Sequence, residues 1–375
     1  MRLLVSGGGT GGHVYPILAV LQHLDESDES PAEICYVGSA SGIEARLADR
    51  AGLPFRGIST ARFHERNPWT LPLRLTKLAR GTIQSISIID EFQPQALLAT
   101  GGYVCAPPML AARIKKLPSV MYLPDLTPGM AVRLLGRYAT QVAVSFGRST
   151  SYFPRGKAVV TGYPVRKELF EADKTASRRR LELVKDKKVL LVLGGSQGAH
   201  SINLAISSAL TDLLKVCQIV HISGDADAPW LCSRRSELPQ SVARDYRVYP
   251  FLHKEMIDAL AAADLAVARA GAATTGEFPA LGLPSILVPY PYAGLHQNLN
   301  AQHMVDHKAA IRVEDADLAE GILGEAILGL LTDEERLSQL ADGARRLAQP
   351  DASRRIARLL KDVARPHETV AGAPT

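Results

Sequence analysis

Two doubly wound α/β domains are what this sequence predicts, on three observations. A strand, a glycine loop and a helical pattern open the chain, the same order returns half a chain length later, and short apolar runs alternate with helical periodicity throughout. The first set is Leu3-Leu4-Val5, then Gly7-Gly8-Gly9-Thr10-Gly11-Gly12-His13, then Val14, Ile17, Leu18, Leu21 and Leu24 on one helical face. The second is Val189-Leu190-Leu191-Val192-Leu193, then Gly194-Gly195-Ser196-Gln197-Gly198-Ala199, then Ile202, Ala205, Ile206, Ala209, Leu210 and Leu213. Continuous apolar strands are buried on both faces, which is how parallel sheets covered by helices read.

Further strands are expected at Ile34-Cys35-Tyr36-Val37, Ala96-Leu97-Leu98-Ala99, Ser119-Val120-Met121-Tyr122 and Gln141-Val142-Ala143-Val144 in the first half. In the second half they fall at Gln218-Ile219-Val220-His221-Ile222, Leu265-Ala266-Val267-Ala268 and Ser285-Ile286-Leu287-Val288. Turn residues Thr161-Gly162-Tyr163-Pro164 mark the boundary, giving domains 1–163 and 164–345. Residues 334–363 have helical spacing, and 366–375 read as a frayed tail.

The 375 residues are 46% hydrophobic and 22% charged, which excludes disorder, collagen-like sequence and a disulfide scaffold. Cys35, Cys105, Cys217 and Cys232 have no C-x-x-C spacing, so neither a zinc site nor a redox pair is expected. A net charge of +5 suits nucleic acid, anionic lipid or a phosphorylated substrate. The basic residues of 174–188 have no interleaved aromatics and read as solvated surface, which disfavours nucleic acid. The N-terminus lacks the apolar core of a signal, and no run approaches a membrane span, so the protein is expected to be soluble or to lie on a membrane.

A loop between a strand end and a helix start aims backbone N–H groups and the helix dipole at one spot, favouring a phosphate. The first loop fits G-x-G-x-x-G, but the second strand ends Val37-Gly38-Ser39-Ala40 without the acid that a nicotinamide or flavin enzyme needs. Neither loop ends in the Gly-Lys-Ser/Thr of a P-loop, which disfavours nucleotide hydrolysis. His13, in the first helical turn, reads either as a general base or as a capping residue. A third cluster, Arg269-Ala270-Gly271-Ala272-Ala273-Thr274-Thr275-Gly276-Glu277, again exposes N–H donors; Glu277 either complements the dipole or accepts ribose hydroxyls. His296-Gln297-Asn298-Leu299-Asn300 is rich in amides suited to sugar hydroxyls. Asp225-Ala226-Asp227 and Asp315-Ala316-Asp317 match the metal-binding Asp-x-Asp pattern, yet the first reads as a turn and the second as a helix start, so no metal is expected.

Taken together, Gly8 to His13, Gly101-Gly102-Tyr103, Gly162-Tyr163-Pro164-Val165-Arg166, Gly194 to Ala199, Arg269 to Glu277 and His296-Gln297 to Asn300-Ala301 resemble the MurG-type N-acetylglucosaminyltransferases of family 28. The resemblance implies a GT-B fold, two Rossmann-like domains facing across a cleft, with a last helix in 346–375 crossing back to the first domain. It implies inverting, cofactor- and metal-independent transfer of N-acetylglucosamine from UDP-N-acetylglucosamine to the polyprenyl-linked lipid I, giving lipid II. By matching position, His13 is the base, and Thr10, Gly11 and Gly12 lie by the donor sugar and phosphates. Arg166 and Ser196 hold UDP, and Leu252 contacts uracil through its backbone. Ala272, Ala273, Thr274, Thr275, Gly276 and Glu277 form the diphosphate and ribose loop, and Gln297 reaches the sugar.

The chain departs from the family pattern at Tyr122-Leu123-Pro124-Asp125-Leu126-Thr127-Pro128-Gly129, which puts Asp125 at the position of a sugar-contacting asparagine. An ionised carboxylate accepts but cannot donate, so Asp125 alters sugar recognition, or serves as an alternative base or orients His13. The alternatives are a related GT-B enzyme with another sugar or acceptor, and a non-catalytic sugar-nucleotide-binding protein. In 62–80, Arg62, Arg66, Arg74, Lys77 and Arg80 flank Phe63, Trp69, Leu71, Leu73, Leu75 and Leu78, with Glu65 the one acid. This reads either as a peripheral contact with an anionic membrane or as a core helix with solvated arginines. The resemblance favours the cytoplasmic face of the cell membrane.

Overall fold

A computed structural model of the protein describes residues 1–24, 32–61, 68–195, 198–292 and 296–365. The chain forms two units: Met1–Pro124, Pro128–Pro164 and Asp351–Thr375 make the first, and Asp125–Thr127 with Val165–Pro350 the second. The second change of unit thus falls a few residues after the expected 345, because the helix Glu334–Leu347 stays with the second unit.

The first unit is a parallel sheet of β1 (Arg2–Ser6), β2 (Glu33–Ser39), β3 (Phe55–Ile58), β4 (Ala96–Ala99), β5 (Ser119–Leu123), β6 (Gln141–Val144) and β7 (Ala158–Val160). Their order across the sheet is β3-β2-β1-β4-β5-β6-β7. Side chains alternate between faces along each strand. Leu4, Cys35 and Leu97 pack with Met109, Ala112 and Leu135 on one side. Leu3, Val5, Tyr36 and Leu98 meet Val14, Ile17, Ile356 and Leu360 on the other. Ile356 and Leu360 belong to the last helix, Ala352–Ala364, which is thereby tied to the first unit. Each is fully buried, worth roughly 1.5–3 kcal/mol per side chain.

The second unit is a parallel sheet of β8 (Lys188–Leu193), β9 (Cys217–Ile222), β10 (Tyr246–Tyr249), β11 (Leu265–Ala268), β12 (Ser285–Leu287) and β13 (Ala310–Arg312). The order is β10-β9-β8-β11-β12-β13. Leu190, Val192, Ile219, Val267 and Ile286 bury against Ile202, Ile206 and Leu210 of the helix His200–Val216 and against Leu323 and Ile327. In both units the first strand sits between the second and the fourth, so each sheet has a switch point, at β1/β4 and at β8/β11. Loops leaving neighbouring strand ends in opposite directions open a crevice there, where doubly wound sheets bind ligands.

The four strands without a counterpart in the sequence reading, β3, β7, β10 and β13, are the four sheet edges. Each is partly exposed; β3 and β10 are interrupted by arginine, β13 ends in one, and β7 is an apolar run of only three residues. The basic stretch is a brace within the second unit: Lys174 and Arg178 pair with Asp264, Arg180 with Asp258, Lys187 with Asp245 and Lys188 with Glu334. Among the described residues, no helix is long and apolar enough to cross a membrane.

Candidate active site

In the first unit the switch point brings the loop after β1 against Thr100 and Gly101, just beyond β4. His13 lies in the first turn of the helix Gly11–Leu21, whose N-cap Thr10 is extended and makes no side-chain cap. Thr100 grips this turn twice: its hydroxyl donates to the His13 carbonyl at 2.5 Å, and its own carbonyl lies 2.8 Å from His13 Nδ1. A carbonyl can only accept, so Nδ1 carries the proton and the lone pair of the neutral ring is on Nε2. That is the tautomer a general base requires. Gly101, at φ 108°, is a glycine for this reason also: a Cβ there would lie 2.9 Å from His13 Cε1. The loop is held by the Tyr36 hydroxyl, which donates to the Gly7 carbonyl at 2.5 Å, and by the Glu44 carboxylate, which accepts from Gly9 N–H at 3.2 Å.

In the second unit the β8/β11 switch point gathers most of the remaining candidates. After β11, residues 269–273 lead into the helix Thr274–Leu281, whose N-cap Ala273 offers no side-chain cap. The Thr274 and Thr275 hydroxyls turn inward, donating to the carbonyls of Gly271 and Ala272 at 2.7 Å each. Gly276 and Ala272 are buried beside them. Glu277 Oε1 stands 3.9 Å from Arg166 Nη2. Burial pushes the Glu277 carboxyl above its usual value, and the Arg166 charge works against that rise. Leu252, past the end of β10, is buried. Gln297, in the helix His296–Asp306, accepts from Tyr290 N–H through Oε1 at 2.8 Å, leaving its NH₂ as the donor end. Asp125 Oδ1 accepts from Asn300 Nδ2 at 2.9 Å, and the same amide reaches the Ala270 carbonyl at 3.0 Å. Ser196 lies outside the described residues. Thus Arg166 meets Glu277, and Asp125 is joined through Asn300 to the loop that precedes Ala272, while Thr10, Gly11, Gly12 and His13 form a separate group in the first unit.

Several contacts escape the sequence reading. Arg269 donates to Asp315 at 2.5 Å, to Ser201 Oγ at 2.8 Å and to the carbonyls of Val288 and Pro289, and its guanidinium lies over the Tyr290 ring. It fixes the start of the third loop to β12 and to the helix after the second loop. Asp315, from one Asp-x-Asp string, is therefore a structural partner of Arg269. Asp227, from the other, accepts from Trp230 Nε1 and Asn203 Nδ2 and lies 2.8 Å from His200 Nδ1. Asn203 in turn contacts His221 Nε2, whose Nδ1 meets the Tyr246 hydroxyl. Burial drives the His221 pKa down to about 3, so this ring is neutral. Among the described residues no group of three or more His, Cys, Asp or Glu is arranged to hold a metal ion.

Of the 62–80 segment, Arg62, Phe63, Glu65 and Arg66 lie outside the described residues. The helix Leu71–Phe92 presents Leu71, Leu73 and Leu75 to solvent, 46%, 57% and 52% exposed, and Trp69 ahead of it is 89% exposed. Lys77 and Arg80 are exposed beside them, whereas Arg74 is buried and is not one of the flanking cations the sequence suggested. It lies on the inner side of the helix with Gly81, Ser85 and Ile89, where helical periodicity carries every third or fourth residue.

Two Rossmann-like parallel sheets, each with a polar loop cluster at its switch point, are the architecture of the GT-B class. The N-terminal domain model of glycosyltransferase family 28 matches residues 3–144 and the C-terminal domain model matches 189–356; the chain belongs to glycosyltransferase family 28. It is 42% identical to the UDP-N-acetylglucosamine–N-acetylmuramyl-(pentapeptide) pyrophosphoryl-undecaprenol N-acetylglucosamine transferase of Roseiflexus sp., covering 96% of this chain and 94% of that one. It is 35% identical to the Bacillus subtilis transferase of the same name, over 97% and 99% of the two chains. The crystal structure of Acinetobacter baumannii MurG superposes with a TM-score of 0.72 at 25% identity, over 96% of this chain and 99% of that one.

Proposed function

We propose that this protein transfers N-acetylglucosamine from UDP-N-acetylglucosamine to lipid I, undecaprenyl-pyrophosphoryl-N-acetylmuramoyl-pentapeptide, giving lipid II for peptidoglycan. Similarity along the full chain to enzymes named for that reaction carries the reading. In this mechanism His13 Nε2 takes the proton of the acceptor sugar hydroxyl as its oxygen attacks the anomeric carbon opposite UDP, so configuration inverts in one displacement. Thr10, Gly11 and Gly12 offer helix-start N–H groups to the donor sugar and phosphates. Negative charge growing on departing UDP is met by the start of the helix Thr274–Leu281, by Arg166 and by Ser196, in place of a metal. Glu277 holds the ribose, the Leu252 backbone the uracil, Gln297 the sugar, and residues 272–276 the diphosphate.

The test is to incubate the protein with labelled UDP-N-acetylglucosamine and a lipid I analogue; a β-linked disaccharide product is expected, and binding without transfer would sink the reading. The Asp125 carboxylate, held at Oδ1 by Asn300, favours a second reading in which another UDP-sugar is preferred. A panel of UDP-sugars decides between them by kcat/KM. Exposed Trp69, Leu71, Leu73 and Leu75 beside Lys77 and Arg80 support peripheral attachment to an anionic surface on the cytoplasmic side, where a polyprenyl-linked acceptor would be met.

A further inference from the structure

Glu44 is a carboxylate with no solvent exposure, and no motif draws attention to it. It sits in the first turn of the helix Ile43–Arg50, and its side chain turns back into a hollow made by two backbone loops. Its two oxygens are divided between those loops: Oε2 accepts from Gly9 N–H at 3.2 Å and Oε1 from Ser39 N–H at 3.0 Å. Three glycines make room for it. A Cβ at Gly8 would fall 2.4 Å from Glu44 Oε2, one at Gly38 2.8 Å from Cγ, and one at Gly42 2.2 Å from Oε1. A hollow lined by glycines and closed by backbone N–H groups from two loops is a place that suits an anion. Here the protein's own carboxylate fills it.

We propose that Glu44 is a positioning residue: it fills the hollow between the first glycine loop and the loop after β2, keeps phosphate away from Gly8 and Gly9, and sets the path by which the glycine loop enters the helix that carries His13. This rests on the reading of His13 as the base. Two N–H donors need two acceptor oxygens on one rigid group, and of the common side chains only a carboxylate supplies them at this reach. In Glu44→Gln the amide NH₂ must face one of the two N–H groups, so one of the two anchors is lost. Affinity for UDP itself, assigned above to Arg166, Glu277, Leu252 and residues 272–276 of the second unit, is left alone.

The experiment compares the wild type with Glu44→Gln and Glu44→Gly, measuring kcat, donor KM and the Kd for UDP on the same preparations. Glu44→Gln is expected to lower kcat at least tenfold while UDP Kd stays within twofold. Formate or acetate added to Glu44→Gly is expected to restore kcat saturably by refilling the hollow, an effect that general destabilisation would not produce. A Glu44→Gln kcat within twofold of wild type overturns the proposal, as does a parallel loss of UDP affinity, which would place Glu44 with donor binding or with folding at large. Should Glu44→Gly not fold, the Glu44→Gln result decides alone. A wild type that transfers no sugar would sink the functional reading, whereas a transferring wild type with an unaffected Glu44→Gln sinks only this inference.

Discussion

The two halves begin with the same strand, glycine loop and helix, yet the two loops are held differently. In the first half the loop is filled from within: the Tyr36 hydroxyl holds Gly7, the Glu44 carboxylate holds Gly9, and the helix that follows presents an imidazole. In the second half, among the described residues, no carboxylate accepts a backbone N–H from Gly194, Gly195, Gly198 or Ala199. The nearby acid Asp227 is engaged instead by His200, Asn203 and Trp230. A glycine loop at a helix start is thus only a set of donors; whether it binds a ligand's charge or frames a reactive side chain depends on what the rest of the domain has already placed in it.

The comparison breaks most sharply at His13. If the first loop frames a base, His13→Gln should lower kcat by about 10²–10⁴ with UDP affinity unchanged, measured by single-turnover transfer and by titration with UDP. A variant with near-normal turnover would return the first loop to a binding role.

Next in size is the buried network behind the second loop. The unfolded chain protonates a histidine near 6.5, whereas the folded protein keeps His221 neutral down to about 3. The unfolded state therefore binds the extra proton across that window, and stability falls as pH drops from about 6.5 toward 3, by up to about 4 kcal/mol. Denaturant titrations of His221→Gln should show a shallower acid slope than the wild type; equal slopes would remove His221 as the cause.

Smaller again is the donor side. Glu277→Ala and Arg166→Ala should each raise donor KM about 10–100-fold, the worth of one hydrogen bond to a charged group, with a lesser effect on kcat. Burial raises the Glu277 carboxyl, so donor KM should worsen as pH falls through that raised value, and Glu277→Gln should flatten the dependence. A kcat loss without a KM change would move Glu277 out of the donor site. The smallest effect expected is at the exposed apolar face: if it meets lipid, Trp69→Ser with Leu73→Ser should cut sedimentation with anionic vesicles severalfold without changing UDP affinity. Equal pelleting by wild type and variant would separate that face from membrane binding.

Central strands were legible because burial on both faces forces continuous apolar runs, as in Leu190 to Val192 and Ala96 to Ala99. The edge strands were not: β3 reads Phe-Arg-Gly-Ile and β10 Tyr-Arg-Val-Tyr, partly exposed and broken by arginine, and β7 is only Ala-Val-Val, too short a run to stand out. In the candidate site, the placement of His13 and of residues 272–277 at helix starts was legible because it follows from local spacing. Thr100, Glu44, Asn300 and Arg269 act through partners far along the chain, which nothing nearby in sequence announces.

The sequence by itself therefore determined the two doubly wound halves, their central strands and the helix starts where donors gather, since periodicity and glycine spacing are local properties of the chain. Only the tertiary structure decided which loop is already occupied by a carboxylate, which nitrogen of His13 bears the proton, and that Arg74 is buried while Trp69 is exposed. Those outcomes depend on hydrogen bonds and packing between residues brought together by the sheets, and sequence spacing carries no record of them.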